Sequence, residues 1–505
     1  MKLSRSTFAE IAGSVELPGP EVFNLPEKVL QFGTGVLLRG LPDHYIDQAN
    51  KQGVFNGRIV VVKSTDKGDT KDFEEQNSLY TLCVRGIENG KKVHEDIVNA
   101  SVSRVLNANE QWETILDFAA SSSLELIISN TTEAGIAFVD ENVLVSPPIS
   151  FPGKLVSVLY HRFKMYNGAR DKGLVIIPTE LIPDNGDKLK EIVLKLAVSN
   201  KLPSPFLDWL GECNTFCNSL VDRIVPGKPD EETLQAQKDA LGYEDSLLIM
   251  AEAYSLWVIQ GDEKIKSKLT FATVDKSVII TPDIDLHREL KLRLLNGTHT
   301  LSCAVAFLAG FETVKQAMED ENMEAFIAGL MKSEIASAIP YQVPTDAAID
   351  FSDKVLDRFR NPHIKHQWLS ISMNYTSKLK TRVVPLLKRY AELFQKAPEL
   401  MAFGFASYIR FIKAEKIDDL YYGKINGTKY LINDDKIEHI YQLFLNNEGN
   451  IVQAILKDTA LWDTDLSMLP GFEALVNGFY LTMANADTSV KEQLMNIIEN
   501  KIDAL

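Results

Sequence analysis

Three polar side chains lie close together in the segment KLRLLNGTHT, namely Lys291, Asn296 and His299. At about 100° per residue of an α-helix, Asn296 and His299 fall roughly 140° and 80° from Lys291, so all three point into one sector. That sector is otherwise apolar, and polar groups in an apolar environment need partners or a function. A lysine that burial has made less basic can move a proton to and from a substrate oxygen, and an amide N–H can stabilise a developing alkoxide. The residues alone leave open the alternative of a half-exposed helix with a solvated lysine and a core histidine.

A glycine turn near the start of the chain could hold a phosphate group. Residues 28 to 32 (KVLQF) predict a strand, Gly33, Thr34 and Gly35 a tight turn, and residues 37 to 50 a helix. In a βαβ unit the first glycine permits the turn, and the second lets a pyrophosphate approach the backbone at the helix N-terminus. The third glycine of the G-x-G-x-x-G pattern is replaced by leucine. An ordinary strand-to-helix turn therefore explains these residues as well as a dinucleotide site does.

The residues after the second predicted strand (RIVVVK, 58 to 63) leave NAD and NADP both open. An NAD enzyme often places an acidic residue there. This chain has Lys63, Ser64 and Thr65, with Asp66 slightly beyond, and Lys63 could accept a 2′-phosphate.

Two further polar loops each follow a predicted strand. SNTTEAG (129 to 135) follows LELIIS (124 to 129), and PTELIPDNG (178 to 186) follows GLVIIP (173 to 178). Loops at the carboxyl ends of parallel strands line the ligand crevice of such a sheet. Their plain alternatives are a capped turn for the first loop and an Asn-Gly turn for the second.

The alternation of elements predicts an α/β fold with two domains. Strand-like runs and the helical segments at about 108 to 119 and 153 to 167 indicate a doubly wound, Rossmann-like sheet over residues 1 to 283. From 284 to 505 long helical patterns take over, which predicts a mostly α-helical second domain. These patterns cover residues 285 to 310, 312 to 332, 366 to 393, 400 to 415, 435 to 457 and 487 to 503.

Composition excludes several classes of protein. The chain has 505 residues and a net charge of -16, which disfavours nucleic acid and anionic membranes as partners. No signal peptide or membrane span is visible in the sequence, so we expect a cytoplasmic protein. Cys213 and Cys217 share a helix spacing but lack the second ligand pair of a zinc site, so we predict buried thiols and no metal.

Several motifs together resemble the mannitol dehydrogenase family of long-chain polyol and sugar-acid dehydrogenases. The pattern Lys291-x4-Asn296-x2-His299 stands in KLRLLNGTHTLSCAVAFLAG. The other matching segments appear in the order VLQFGTGVLLRG (29 to 40), SNTTEAGI (129 to 136), Asn185-Gly186, SLVDRIVPG (219 to 227) and DRFRNPHIKHQWLSI (357 to 371). The resemblance covers nearly the whole chain. SNTTEAGI, IIPTELIPDNGD and RNPHIKHQ are most similar to the members that act on hexuronates.

The resemblance implies metal-independent hydride transfer between NADH and D-tagaturonate, giving D-altronate. The many predicted helices of the second domain could support either a monomer or a homodimer. It implies that Lys291 is the general acid and base, that Asn296 and Asn185 hold the reacting oxygen, and that His299 orients the substrate or the lysine. The cofactor contacts that it implies are Gly33, Thr34, Gly35, Val36, Leu37, Asn130, Thr131 and Thr132.

A sugar-acid substrate carries a carboxylate, so we expect a cation in addition to Lys291. The candidates are Arg360, Lys365 and His366, together with Arg39 beside the glycine turn, and Lys365 or Arg360 is favoured. Each one could instead form a surface or interdomain salt bridge. Three alternative functions stay open. They are reduction of fructuronate, oxidation of a mannitol-type polyol, and a non-catalytic nucleotide-binding regulator, which is disfavoured because Lys291, Asn296 and His299 are all present.

Overall fold

The computed structural model describes residues 1–11, 13, 15–64, 70–131, 135–425, 427–484 and 490–502. The chain divides into two compact units. The first comprises Met1–Gly86 and Lys92–Ile284, and the second comprises Ile87–Lys91 and Asp285–Leu505. The sequence predicts the boundary at about residue 283.

Six parallel strands form the central sheet of the first unit, in the order β5-β2-β1-β6-β7-β8. Two three-stranded sheets accompany it, in the orders β10-β3-β4 and β12-β11-β9. The strands are β1 (Glu27–Phe32), β2 (Arg58–Lys63), β3 (Tyr80–Glu88), β4 (Lys91–Asn99), β5 (Val102–Asn107), β6 (Leu126–Ser129), β7 (Val175–Pro178), β8 (Thr215–Phe216), β9 (Ser219–Asp222), β10 (Ile249–Glu252), β11 (Leu256–Gln260) and β12 (Val278–Thr281). The predicted strands at 28 to 32, 58 to 63, 124 to 129 and 173 to 178 are confirmed.

The unbroken apolar runs of these strands arise because both faces of the sheet are covered. In β2, Ile59 and Val61 belong to one hydrophobic core and Val60 and Val62 to the other. Side chains alternate between the faces of a strand, so a strand buried on both faces carries a continuous β-branched run. The central strand order is the Rossmann order, and the predicted fold class is confirmed.

The helices of the first unit lie between the strands. They are α1 (Val36–Gly40), α2 (Pro42–Lys51), α3 (Lys71–Glu75), α4 (Trp112–Ala119), α5 (Phe151–Met165), α6 (Asn185–Ser199), α7 (Ser204–Cys213), α8 (Glu231–Leu241) and α9 (Glu263–Lys268). The single helix predicted over 37 to 50 is wrong in one respect, because it breaks at Leu41 (φ -134°, ψ -81°) and restarts at Pro42. Proline suits the first position of a helix, where its missing N–H is not needed.

The second unit is mostly helical, as the sequence predicts. Its α-helices are α10 (Asp285–Leu290), α11 (Thr298–Leu308), α12 (Val314–Met318), α13 (Glu321–Gly329), α14 (Thr345–Phe359), α15 (Trp368–Ile371), α16 (Tyr375–Arg382), α17 (Val384–Phe394), α18 (Glu399–Ile412), α19 (Ile437–Asn446), α20 (Ile451–Lys457), α21 (Thr459–Trp462), α22 (Phe472–Ala484) and α23 (Val490–Ile502). Two π-helices, Lys291–Gly297 and Leu330–Ile335, interrupt this series. The antiparallel sheet of β13 (Glu415–Ile417), β14 (Leu420–Ile425) and β15 (Thr428–Leu431) and the helices α14 and α22 were not predicted.

The long helix predicted over 366 to 393 is wrong as a single element. It comprises α15, α16 and α17, and Asn374 precedes α16 with a left-handed φ of 52°. That conformation ends a helix, and asparagine tolerates it better than most residues.

Candidate active site

The glycine turn connects β1 to α1 and needs its first glycine for steric reasons. Gly33 has a φ of +126°, and a Cβ at that position would lie 2.9 Å from the Asn130 carbonyl oxygen. Gly35 is exposed, and a Cβ there would meet no atom within 4 Å. The first glycine is thus required by the fold, while the second leaves open space beside the start of α1. That space suits a group that approaches the backbone closely.

The other predicted cofactor contacts at this turn are half-buried. Thr34 lies within the turn, and Val36 and Leu37 are the first residues of α1, with side chains that pack against the core. The side chains of Val36 and Leu37 therefore face the protein. The polar groups that they can offer a ligand are the main-chain N–H groups of the first helical turn.

The segment SLVDRIVPG holds the end of α1 in place. The guanidinium of Arg223 donates from Nη1 to the Gly40 carbonyl at 2.6 Å. A Cβ on Gly40 would lie 2.9 Å from Val225 Cγ2. Sequence reasoning noted the motif without assigning this role, because residues 183 positions apart give no local signal of contact.

The loops after β6 and β7 are tied together by buried polar side chains. Asn130 Nδ2 donates to the carbonyl oxygen and hydroxyl of Thr179 at 2.9 and 3.0 Å. The main-chain N–H and the hydroxyl of Thr131 both donate to Glu180 Oε1, at 2.8 and 3.0 Å. Asn130 and Thr131 thus lie beside the glycine turn, at the point where the strand order reverses between β1 and β6. Thr132 lies outside the described residues, as does Asp66.

The Asn185 side chain is used entirely within the first unit. Its Nδ2 donates to the carbonyl oxygens of Pro178, Glu180 and Ser219 at 3.0 to 3.1 Å. Its Oδ1 accepts from the N–H groups of Gly186 and Ser219 at 2.9 Å. An amide has two N–H groups, so none is left for a substrate oxygen. The geometry argues against the sequence-based prediction for Asn185 and favours a role in holding α6 against β7 and β9.

The predicted catalytic helix contains a π-helix, which changes the relation between its polar side chains. Lys291 to Gly297 forms i→i+5 hydrogen bonds between α10 and α11. Residues five apart, such as Lys291 and Asn296, then become neighbours on one face, as residues four apart are in an α-helix. The α-helical angle of about 140° between them is therefore wrong. Short π-helices occur frequently at functional sites.

His299 follows the π-helix and is buried among aromatic rings. Its ring stacks on Phe359 with centroids 4.1 Å apart and an interplanar angle of 10°. The rings of His366 and Trp368 meet it edge-on, with centroids 5.1 and 6.1 Å away.

Burial lowers the pKa of His299 well below its usual value. Nearby positive charges lower it further, and they come from His366, Arg358, Arg382 and Lys378. Its Nε2 atom is buried without a hydrogen-bond partner among the described residues. The ring is neutral and presents an unused nitrogen.

Two cations of α16, Lys378 and Arg382, lie near His299; we call them the cationic pair. They are four residues apart, so they share one face of the helix. Lys378 Nζ donates to the Ile371 carbonyl at 2.9 Å, and Arg382 Nη1 donates to Thr300 Oγ1 at 3.1 Å. In the described part of the chain, neither forms an ion pair within 4.0 Å. Burial lowers the pKa of both groups. A half-buried cation with no anion in contact carries a desolvation cost, and an anionic ligand would relieve that cost.

Helix α16 is fastened to the catalytic helix on both sides of the cationic pair. Arg293 of the π-helix donates to the carbonyls of Thr381 and Arg382, both at 2.8 Å, and is held by Glu289 at 2.9 Å. The Tyr375 hydroxyl donates to the Thr300 carbonyl at 2.7 Å. These contacts fix the position of the guanidinium of Arg382 relative to residues 296 to 300.

Three of the predicted carboxylate ligands differ in their surroundings. Arg360 is ion-paired with Glu324 at 2.5 Å and with Asp357 at 3.2 Å, so its charge is already balanced. Lys365 is exposed in the segment before α15. Only His366 lies against His299. The structure argues against Arg360 and points to the cationic pair, which sequence reasoning missed.

Within the described ranges, no group of three or more His, Cys, Asp or Glu side chains could hold a metal ion. Cys213 ends α7 and is half-buried, and Cys217 follows β8 and is buried, so the prediction of buried thiols is confirmed for Cys217 and wrong for Cys213. None of the helices that the structure describes combines the length and the apolar character needed to cross a membrane.

Comparison with known proteins gives matches over both units. Residues 27–272 match the mannitol dehydrogenase Rossmann domain, and residues 283–483 match the mannitol dehydrogenase C-terminal domain. The chain is 40% identical over 451 residues to an altronate oxidoreductase of Bacillus subtilis, covering 88% of this chain and 90% of that one. It is 38% identical over 489 residues to an altronate oxidoreductase of Yersinia enterocolitica, covering 95% and 96% of the two chains.

Two solved structures share the fold. A mannitol 2-dehydrogenase of Pseudomonas fluorescens, in a ternary complex with NAD and D-mannitol, has a TM-score of 0.68 and 22% identity. It covers 99% of this chain, and this chain covers 100% of it. A D-sorbitol dehydrogenase in substrate-free form has a TM-score of 0.76 and 19% identity, with 97% and 100% of the two chains covered.

Proposed function

The chain belongs to the mannitol dehydrogenase family and is a dehydrogenase that acts on CH–OH groups, and we propose that it interconverts D-altronate and D-tagaturonate with NAD(H). The observation that most directly supports this proposal is the cationic pair beside His299 and Asn296. A sugar-acid substrate supplies the carboxylate that these two cations lack.

The first unit has the features that a dinucleotide needs. The backbone at Gly35 is exposed and open, and the first turn of α1 offers unpaired N–H groups beside it. The residues that would hold the cofactor are Gly33, Thr34, Gly35, Val36 and Leu37. Asn130 and Thr131 would shape the neighbouring loop. Bound NAD(H) would accept or supply the hydride.

Proton transfer to and from the substrate oxygen is assigned to the catalytic helix of the second unit. Lys291 would give a proton to the substrate oxygen during reduction and remove it during oxidation. Asn296, its neighbour on the π-helical face, has a side-chain amide that no other described residue binds, so its N–H can donate to the same oxygen. The neutral His299 would orient a substrate hydroxyl through Nε2. This division of roles requires no metal ion.

The cationic pair would hold the substrate carboxylate and so select sugar acids over polyols. Arg382 can donate to a carboxylate while Nη1 keeps its bond to Thr300, because the guanidinium carries five N–H groups. Lys378 would add a second positive charge from the preceding turn of α16. A neutral polyol leaves both cations uncompensated, which is the physical basis of discrimination.

A substrate panel tests the proposal. NADH consumption is followed with D-tagaturonate, D-fructuronate and D-fructose, and NAD reduction with D-altronate and mannitol 1-phosphate. We expect the highest kcat/KM with tagaturonate and altronate. Activity confined to fructose would refute the sugar-acid assignment. NADH binding without turnover of any substrate would instead indicate a nucleotide-binding regulator.

A further inference from the structure

Two buried side chains beneath the glycine turn each keep one acceptor oxygen without a donor. Gln31 lies on β1 and Asp43 on α2, and both are fully buried. Gln31 Nε2 donates to Asp43 Oδ2 at 3.3 Å and to the Gly33 carbonyl at 3.4 Å. Gln31 Oε1 and Asp43 Oδ1 have no partner in the described chain. Buried acceptors without donors are rare and costly, so these two need an explanation.

The orientation of the Gln31 amide does not remove the problem. Its nitrogen faces two oxygens, those of Asp43 and Gly33. Turning the amide would place Oε1 against the Gly33 carbonyl oxygen, which has no hydrogen to donate. The orientation with Nε2 toward Gly33 is therefore favoured, and it leaves Oε1 without a donor.

The charged and titratable groups around Asp43 do not supply a counter-charge in direct contact. Arg39 of α1 lies beyond 4.0 Å and donates to a main-chain carbonyl, and Asp47 of α2 adds a second carboxyl. Tyr80 of β3 donates its hydroxyl to the Arg39 carbonyl at 2.7 Å. Burial raises the pKa of Asp43 to about 8, against smaller opposing effects of Gln31 and Arg39.

One proton on Asp43 would satisfy both unpaired atoms. We propose that Asp43 is a neutral carboxylic acid in the folded protein and that its O–H donates to Gln31 Oε1. The amide and the acid then form a reciprocal pair, with one bond in each direction. This pair holds the free Nε2 hydrogen of Gln31 on the Gly33 carbonyl and so fixes the turn from below. Gln31 and Asp43 are positioning residues.

Loss of this proton would loosen the turn. An ionised Asp43 would place a negative oxygen beside Gln31 Oε1, and the amide would rotate away from Gly33. The consequence for NADH rests on the proposed function, whereas the protonation of Asp43 does not. Above the midpoint we expect NADH affinity to fall by roughly tenfold per pH unit if only the protonated form holds the turn.

The first test is NADH fluorescence titration of the full chain between pH 7 and 9.5, a range chosen to bracket the value for Asp43. D43N replaces the O–H with an amide N–H that can still donate to Gln31 Oε1, so we expect its NADH Kd to be flat across the range. D47N is the matched control, because Asp47 lies one turn along α2 and accepts from the Ala100 N–H at 2.7 Å. It should keep the alkaline loss of wild type. An identical alkaline loss in D43N would overturn the role of the pair in the turn.

The second test measures protonation without a cofactor. The folded Asp43 holds a proton that the unfolded chain, with its ordinary carboxyl, has lost, so stability falls as pH rises and levels off above about 8. Urea unfolding of wild type should show roughly a tenfold decrease in the folding constant per pH unit that D43N lacks. Equal slopes would overturn the proposal. If D43N does not fold, infrared spectra of wild type with labelled aspartate replace it, and the absence of a protonated carboxyl band at pH 7 would be the refuting result. If the unfolding data show the expected pH dependence but NADH does not bind at any pH, the result counts against the proposed function alone.

Discussion

Replacing Arg382 with methionine separates the cost of a buried charge from its use in binding. The guanidinium is half-buried, donates to Thr300 Oγ1 at 3.1 Å and has no acidic partner among the described residues. Removing it forfeits one hydrogen bond of about 1 kcal/mol and relieves the penalty of a desolvated charge. Methionine keeps much of the apolar stem. The free energy of unfolding of R382M should therefore stay within about 1 kcal/mol of wild type.

Binding of the sugar acid should change far more than stability. A charge-assisted hydrogen bond to a carboxylate contributes about 1.5 to 3 kcal/mol, and Arg382 can form two. At 1.4 kcal/mol per tenfold change, a loss of about 3 kcal/mol lowers kcat/KM for tagaturonate roughly 100-fold. The loss should appear mainly in KM, with KM for NADH unchanged.

The control for this experiment is R360M. Arg360 is paired with Glu324 and Asp357 near the surface, and its removal should cost less than about 1 kcal/mol of stability and leave KM for the sugar acid unchanged. Steady-state kinetics and urea unfolding of both variants give the comparison. If R382M keeps its KM for tagaturonate within twofold of wild type, the assignment of the cationic pair is refuted. It is also refuted if R360M raises that KM more than R382M does.

The remaining predictions concern the turn and the catalytic helix. K291M should lower kcat by roughly two to four orders of magnitude and leave NADH titration curves unchanged; an equal loss of NADH affinity would contradict the proton role. G35A should unfold at the same urea concentration as wild type, because its Cβ meets nothing within 4 Å, yet bind NADH about tenfold more weakly or worse. G33A should lower stability itself, because φ is +126°, and calorimetry distinguishes the two. N185A should cost about 2 to 4 kcal/mol in urea unfolding because it leaves several buried main-chain groups unpaired. A fall in kcat at unchanged stability would restore the oxyanion role to Asn185.

The sequence predicts the central sheet well because the signal there is local. The run Arg58–Lys63 is a continuous apolar strand since both of its faces are buried, and the short pattern around Gly33 marks the turn that follows β1. The break at Leu41 was missed because the apolar pattern continues through it. Local periodicity does not report where a helix changes direction.

The cationic pair could not be found by the same reasoning. The segment TSKLKTR (376 to 382) is typical of a solvent-exposed helix. Only the fold brings Arg382 against Thr300, which lies 82 residues earlier in the chain. Asn185 shows the opposite error, because an exposed Asn-Gly turn and a buried amide have the same local sequence. Gly186 provides the physical reason for the second arrangement, since a Cβ there would lie 2.6 Å from the main chain at Cys217.

The π-helix joins these observations into one argument about the catalytic face. In an α-helix about 140° would separate Lys291 from Asn296, which places them at the two edges of one broad sector. The wider turn brings them together, and a π-helix persists only where neighbouring structure supports it. Arg293 supplies that support, since it leaves the π-helix to bind the last carbonyls of α16 while Glu289 holds its guanidinium. The same bonds place Arg382 beside Asn296. Arg382 Nη1 lies 3.5 Å from the carbonyl oxygen of Asn296. The geometry proposed for proton transfer and the charge proposed for substrate recognition therefore depend on one structural contact.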